Sequence, residues 1–242
     1  MANDGTPYAE QIEAMRKRLS EIRGKITAAC AAAGRSADEV TLMAVTKTVD
    51  PVLINAAVDA GVTVLGENRV QEFLSKREQY RPDADVQFIG HLQTNKVKQI
   101  IDKVSLIHSV DSPHLADAIQ KAAAAAGIVM PVLIEVNIGG EDSKSGVEPD
   151  AAEALLRYVQ QLPNLRADGL MTIPPPLPDE EEQNRVFSQM RQLYDTLREQ
   201  TPLRILSMGM SGDYEAAIRN GATLVRIGSA LFGARIYPQQ TA

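Results

Sequence analysis

Eight short apolar runs alternate with eight amphipathic stretches along this chain, and that unbroken alternation restricts the fold more than any other feature. Strand, helix and strand in succession place the two strands parallel and joined by a right-handed crossover. Eight such units in 242 residues match the size at which a parallel sheet closes on itself. The predicted architecture is therefore α/β, a single (β/α)8 barrel over residues 1–242 with an extra N-terminal helix over about 8–33. An open doubly wound sheet is the runner-up, but it would carry a glycine-rich turn after its first strand. That turn here is TKTVDP, with no glycine.

Ile12, Met15, Leu19, Ile22, Ile26 and Ala29 fall at three-and-four spacing and predict the first helix, which Gly34 ends. Strands are predicted at 40–45, 62–65, from Asp85, and at 105–110, 131–139, 165–173, 204–208 and 223–227. Helices are predicted at 51–60, 70–80, 94–101, 113–126 and 149–161, then from the rigid PPPLPDEEEQ connection to about 200, after SGDY to 220, and over 230–232. Gly61 and Gly127 stand where helices must stop.

Composition excludes several functions. With 25 Lys and Arg against 31 Asp and Glu the net charge is −6, which provides no global basic field for nucleic acid. A single cysteine, Cys30, forms no internal disulfide and suits a reducing compartment. No apolar run approaches the roughly 20 residues of a membrane span, and MANDGTPYAE lacks the features of a secretory signal. These readings predict a soluble cytoplasmic protein with no membrane or nucleic-acid partner.

In a barrel of this kind the chemistry collects at the C-terminal ends of the strands. Lys47 closes the first predicted strand, where an amine that loses hydration becomes a nucleophile toward carbonyls; the alternative is a lysine that snorkels to the rim. The other strand ends bring Glu67 and Asn68, His91, His108 to Asp111, Asn137, Met171 with Thr172, Ser211 with Gly212, and Arg226 with Gly228 and Ser229. MSGDYEAAI and RIGSALFG each set a small hydrogen-bonding turn before a helix, the arrangement that receives a phosphate. Arg226 shares a strand face with Gly228 and points inward, toward either a heterocycle's ring nitrogen or a carboxylate such as Glu135. The three histidines lack metal-ligand spacing, so no metal is expected. SKSG and QTNKVK read as lysine-bearing surface loops.

AVTKTVDP, GENRVQEF, FIGHLQTNKVK, IHSVDS, LIEVNIGGEDSKSG, GLMTIPP, SMGMSGDYEAAI and RIGSALFG, in that order from Val40 to Gly233, together resemble the YggS/PROSC family, the pyridoxal phosphate homeostasis proteins. The resemblance implies the barrel of the alanine racemase N-terminal domain, a fold type III site for pyridoxal 5′-phosphate (PLP). It implies a covalent aldimine on Lys47, phosphate held by Ser211, Gly212, Gly228 and Ser229, Arg226 facing the pyridine nitrogen, and Asn68 beside the ring. Arg69 and Gln87 depart from the pattern, standing where an aromatic residue is more often expected.

Racemases of this fold add a C-terminal β-domain that supplies a catalytic tyrosine. Here nine residues follow Gly233, Tyr237 among them, so the expectation is a monomer without that domain. The expected function is a non-catalytic protein that buffers PLP or delivers it, with PLP-dependent apo-enzymes as recipients. The alternative is a PLP enzyme such as a racemase, with His91 or Tyr214 as acid or base. An aldolase using the Lys47 amine directly is a third, weaker reading.

Overall fold

A computed structural model describes residues 8–139, 145–176 and 179–233. The strands are β1 (Thr41–Val45), β2 (Val64–Glu67), β3 (Asp85–Phe88), β4 (Ile107–Val110), β5 (Met130–Glu135), β6 (Leu165–Met171), β7 (Ile205–Ser207) and β8 (Leu224–Ile227). They form a closed parallel barrel in chain order, with β8 paired back onto β1. The helices among the described residues are α1 (Ala9–Ala32), α2 (Pro51–Asp59), α3 (Val70–Lys76), α4 (Val97–Ile100), α5 (Pro113–Ala126), α6 (Ala152–Gln160), α7 (Glu180–Arg198), α8 (Tyr214–Arg219) and α9 (Ser229–Phe232). The predicted fold class is the one observed.

Local chemistry explains the helix ends. Asp50 caps α2 by accepting from Val52 N–H, with Pro51 at the first helical position. Ser112 caps α5 in the same way and Gly127, at φ +68°, stops it in the left-handed conformation. Asp179 caps α7, whose first turn carries Glu180, Glu181 and Glu182 at the positive end of the helix dipole.

Burial divides along the two faces of the barrel. Outward residues such as Ala44, Leu65, Phe88, Ile107, Leu170 and Val225 pack under the helices in the main core. Inward residues Met43, Val45, Val64, Ile89 and Leu224 form one small interior cluster, and Leu106, Leu133 and Met171 another. Helix α1 covers the outside of the barrel beside α8 and α9, where Arg18 Nε donates to the Leu231 carbonyl at 2.7 Å.

The second strand differs from its predicted position. It was expected at 62–65 and lies at Val64–Glu67, because Gly66 continues the strand and does not end it. A Cβ on Gly66 would stand 2.5 Å from Met43 Sδ, so the glycine leaves interior room for that side chain. Among the described residues no helix is long and apolar enough to cross a membrane. Residues 140–144 of the GGEDSKSG loop, 177–178 of the proline-rich connection, and Tyr237 lie outside the described residues.

Candidate functional site

Closure of the barrel decides which strand ends become neighbours. Ala44 of β1 is in register with Ile227 of β8, so the turn after β1 comes beside the turn after β8. Lys47, half-buried, therefore shares a cavity of about 200 Å³ with Val45, Thr48, Leu53, Gly228 and Ser229. Ser211, in the turn after β7, ties the neighbouring turns together. Its hydroxyl oxygen accepts from the N–H groups of Gly228 and Ala230, both at 3.2 Å. Ser211 was expected to donate to a phosphate; in this structure its oxygen acts as an acceptor between the two turns, leaving the O–H proton as donor.

The predicted residues do not all open on the same space. Ser211 and Gly212 line a larger cavity of about 550 Å³ beneath α1, with Arg18, Lys25 and Tyr214. Asn68 fronts a third hollow with Arg69, His91 and Lys96. Size does not identify the chemistry here, because the smallest of the three holds the amine and one of the turns. Asn68 Oδ1 is buried without a hydrogen-bond partner among the described residues, and Gly90 is what lets the Asn68 backbone in: a Cβ on Gly90 would stand 2.1 Å from the Asn68 carbonyl oxygen.

Arg226 points into the barrel as its strand position requires, 3% exposed. Its acceptors are neither of those anticipated from sequence. One guanidinium nitrogen donates to Ser207 Oγ at 2.6 Å and the other to the Thr172 carbonyl at 2.7 Å. Burial lowers its pKa to about 10, opposed by the charges of Asp213 and Glu135. Among the described residues Glu135 makes no ion pair with it within 4.0 Å.

Ser207 belongs to a chain of hydrogen bonds across the barrel interior whose proton positions follow from the orientation of the Gln87 amide. Gln87 Nε2 donates to Asp85 at 2.8 Å, which turns the Gln87 oxygen toward His108 Nε2, also 2.8 Å away. His108 therefore carries its proton on Nε2, and Nδ1 accepts from the Ser207 hydroxyl at 3.3 Å. Burial, and then the charge of Arg226, hold the His108 pKa well below its ordinary value, so the ring is neutral. The unexpected Gln87 thus has a specific job: an aromatic residue there would leave His108 Nε2–H without this acceptor.

Glu135 sits at the end of β5, 6% exposed, with Oε2 unpartnered among the described residues. Burial and the neighbouring charge of Asp111 raise its pKa to about 7, against the opposing pull of Arg226. His91 is exposed at the rim, 3.8 Å from Asp111 and 3.3 Å from the Ser145 hydroxyl. Tyr214 is 4% exposed within α8 and absent from the Lys47 cavity. Residue groups with metal-holding composition are absent among the described residues.

The fold is a closed parallel barrel, and residues 13–236 match the family model of the alanine racemase N-terminal domain. Within that class, the chain belongs to the pyridoxal phosphate homeostasis protein family. The pyridoxal phosphate homeostasis protein of Aquifex aeolicus is 49% identical over 224 residues, covering 91% of this chain and 98% of that protein. A solved structure of an unknown protein from Bifidobacterium adolescentis is 38% identical with a TM-score of 0.89, over 95% of this chain and 98% of that one. PipY of Synechococcus elongatus, solved with PLP bound, is 32% identical with a TM-score of 0.78, over 90% of this chain and all of PipY.

Proposed function

We propose that this chain binds PLP through Lys47 and buffers it, or delivers it to PLP-dependent apo-enzymes, with no strong turnover of its own. The observation that carries this reading is the shared cavity of Lys47, Gly228 and Ser229, created by the β1–β8 pairing. The groups fit the cofactor: a primary amine and an exposed Ser229 hydroxyl in one cavity, and in another hollow the unpartnered Asn68 Oδ1, an acceptor. When bound, PLP would supply an aldehyde with which the Lys47 amine could condense, with loss of water. Lys47 would then anchor the cofactor, Ser211, Gly212, Gly228 and Ser229 would hold its phosphate, Asn68 would border the ring, and Arg226 would face the ring nitrogen. A fixed guanidinium at that nitrogen disfavours its protonation and weakens the ring as an electron sink, which suits storage better than catalysis. The carrier acts as a cytoplasmic monomer in this account.

The test loads the protein with PLP, following absorbance, and offers it an apo-enzyme in one experiment and amino acids in deuterated water in another. Activation of the apo-enzyme without exchange of the amino acid's α-proton is the expected result. Rapid α-proton exchange would favour the PLP-enzyme reading, and no spectral change on adding PLP would defeat both.

A further inference from the structure

The turn that carries Lys47 is conformationally unusual. The Thr46 carbonyl accepts from Val49 N–H at 3.1 Å, closing a four-residue turn with Lys47 and Thr48 at its centre. Thr48 has φ +62° and is the one non-glycine residue with positive φ among those described. A positive φ at the third position is the pattern of a type II turn, which ordinarily takes glycine there. A β-branched residue in that region is a genuine outlier, and such conformations persist only where the surroundings over-determine them.

The surroundings here are two side chains of α3. Glu72 and Lys76 stand four residues apart on one helix face, ion-paired at 2.8 Å and largely buried, with side-chain exposures of 21% and 12%. Helix α3 follows β2, which pairs with β1, and so this face comes under the Lys47 turn. The Glu72 carboxylate that pairs with Lys76 also accepts from Thr48 N–H. Lys76 Nζ donates to the Thr46 carbonyl at 3.0 Å and approaches the Val49 carbonyl at 3.5 Å. Behind it Glu67, fully buried, accepts from the Thr46 and Tyr80 hydroxyls and lies 3.9 Å from Lys76 Nζ. Both ends and the strained middle of the turn are thus held by one ion pair.

We propose that Glu72 and Lys76 are positioning residues for Lys47: their ion pair holds Thr48 in the left-handed conformation and so directs the Lys47 amine at its ligand. The proposal rests on the reading of Lys47 as the attachment lysine, and its test separates the two. Glu72→Ala is compared with the parent in two backgrounds, Thr48 and Thr48→Gly, because glycine takes positive φ without support. In the threonine background Glu72→Ala is expected to slow covalent attachment of PLP by roughly 5- to 100-fold, the factor matching the strain of one residue held in that region. In the Thr48→Gly background the same substitution is expected to have almost no effect. Equal slowing in both backgrounds, or none in either, would overturn the proposal.

A readout without cofactor is the hydrogen exchange of the Thr48 amide, expected to be slow in the parent and fast in Glu72→Ala. If the parent takes up no PLP, the attachment reading fails while amide exchange still judges the clamp. Should Glu72→Ala not fold, Glu72→Gln, which keeps an oxygen for Thr48 N–H, and Lys76→Met carry the comparison. Attachment slowed in both variants, and restored toward the parent rate with Thr48→Gly, supports the clamp; the parent rate in both contradicts it.

Discussion

Replacing Lys47 with alanine is expected to abolish covalent retention of PLP while leaving a weaker, dialysable fraction bound. The substitution removes the one group at the cavity able to form a carbon–nitrogen bond with an aldehyde, but it leaves the Gly228–Ser229 turn and the Ser211 bridge across to it intact. Those hydrogen bonds run from the backbone N–H groups of Gly228 and Ala230 to the Ser211 hydroxyl and do not pass through the lysine. Retained contacts to charged ligand groups are worth ~1.5–3 kcal/mol each, enough for measurable but reversible binding. Equilibrium dialysis against PLP, followed by borohydride reduction and mass measurement of the intact protein, distinguishes the two fractions. Full retention of a reducible adduct in Lys47→Ala would remove Lys47 from the account.

Glu135→Gln is expected to be the more stable protein above neutral pH and to lose that advantage in acid. The folded chain raises the Glu135 pKa from 4.5 to about 7, so the native state binds this proton more tightly than the unfolded chain does. Its favourable contribution is complete below the unfolded pKa of about 4.5 and is lost as pH rises through about 7. Above that range the buried carboxylate, with one oxygen unpartnered, weighs against folding. At ~1.4 kcal/mol per pKa unit the difference approaches roughly 3 kcal/mol, a large share of a domain's stability. Glutamine fills the same space without the charge, so its stability curve is expected to be flatter between about pH 4.5 and 7. Urea unfolding of both proteins at a series of pH values checks this, and parallel curves would show that Glu135 does not titrate as its surroundings require.

The barrel was legible because its determinants are local. Apolar runs of strand length, helical spacing from Ile12 to Ala29, and stops at Gly34, Gly61 and Gly127 all act within a few residues of where they stand. The sequence collected Lys47, Gly228 and Ser229 at strand ends, but that they share one cavity emerges only from the β1–β8 pairing. The end of β2 was not legible, since a glycine in an exposed turn and one that makes room inside a barrel, as Gly66 does for Met43, look alike in sequence.

The buried polar groups were harder to read. Gln87, His108, Ser207 and Arg226 come from four strands spread over 140 residues, and their shared layer exists only after closure. Gln87 stood out as a departure without a reason; its bond to His108 supplies one. Thr48 gave no sign of its left-handed conformation because glycine, the usual marker of positive φ, is absent from TKTVDP. Glu72 and Lys76 have the spacing of any i, i+4 pair on a helix, and only the position of α3 under the turn of β1 gives them a further role.

Borohydride reduction of the PLP-loaded protein, with peptide mapping of the product, tests the central claim most directly. The account predicts a pyridoxyl adduct on one peptide, at Lys47. An adduct on another lysine, or no adduct after saturation with PLP, would contradict it.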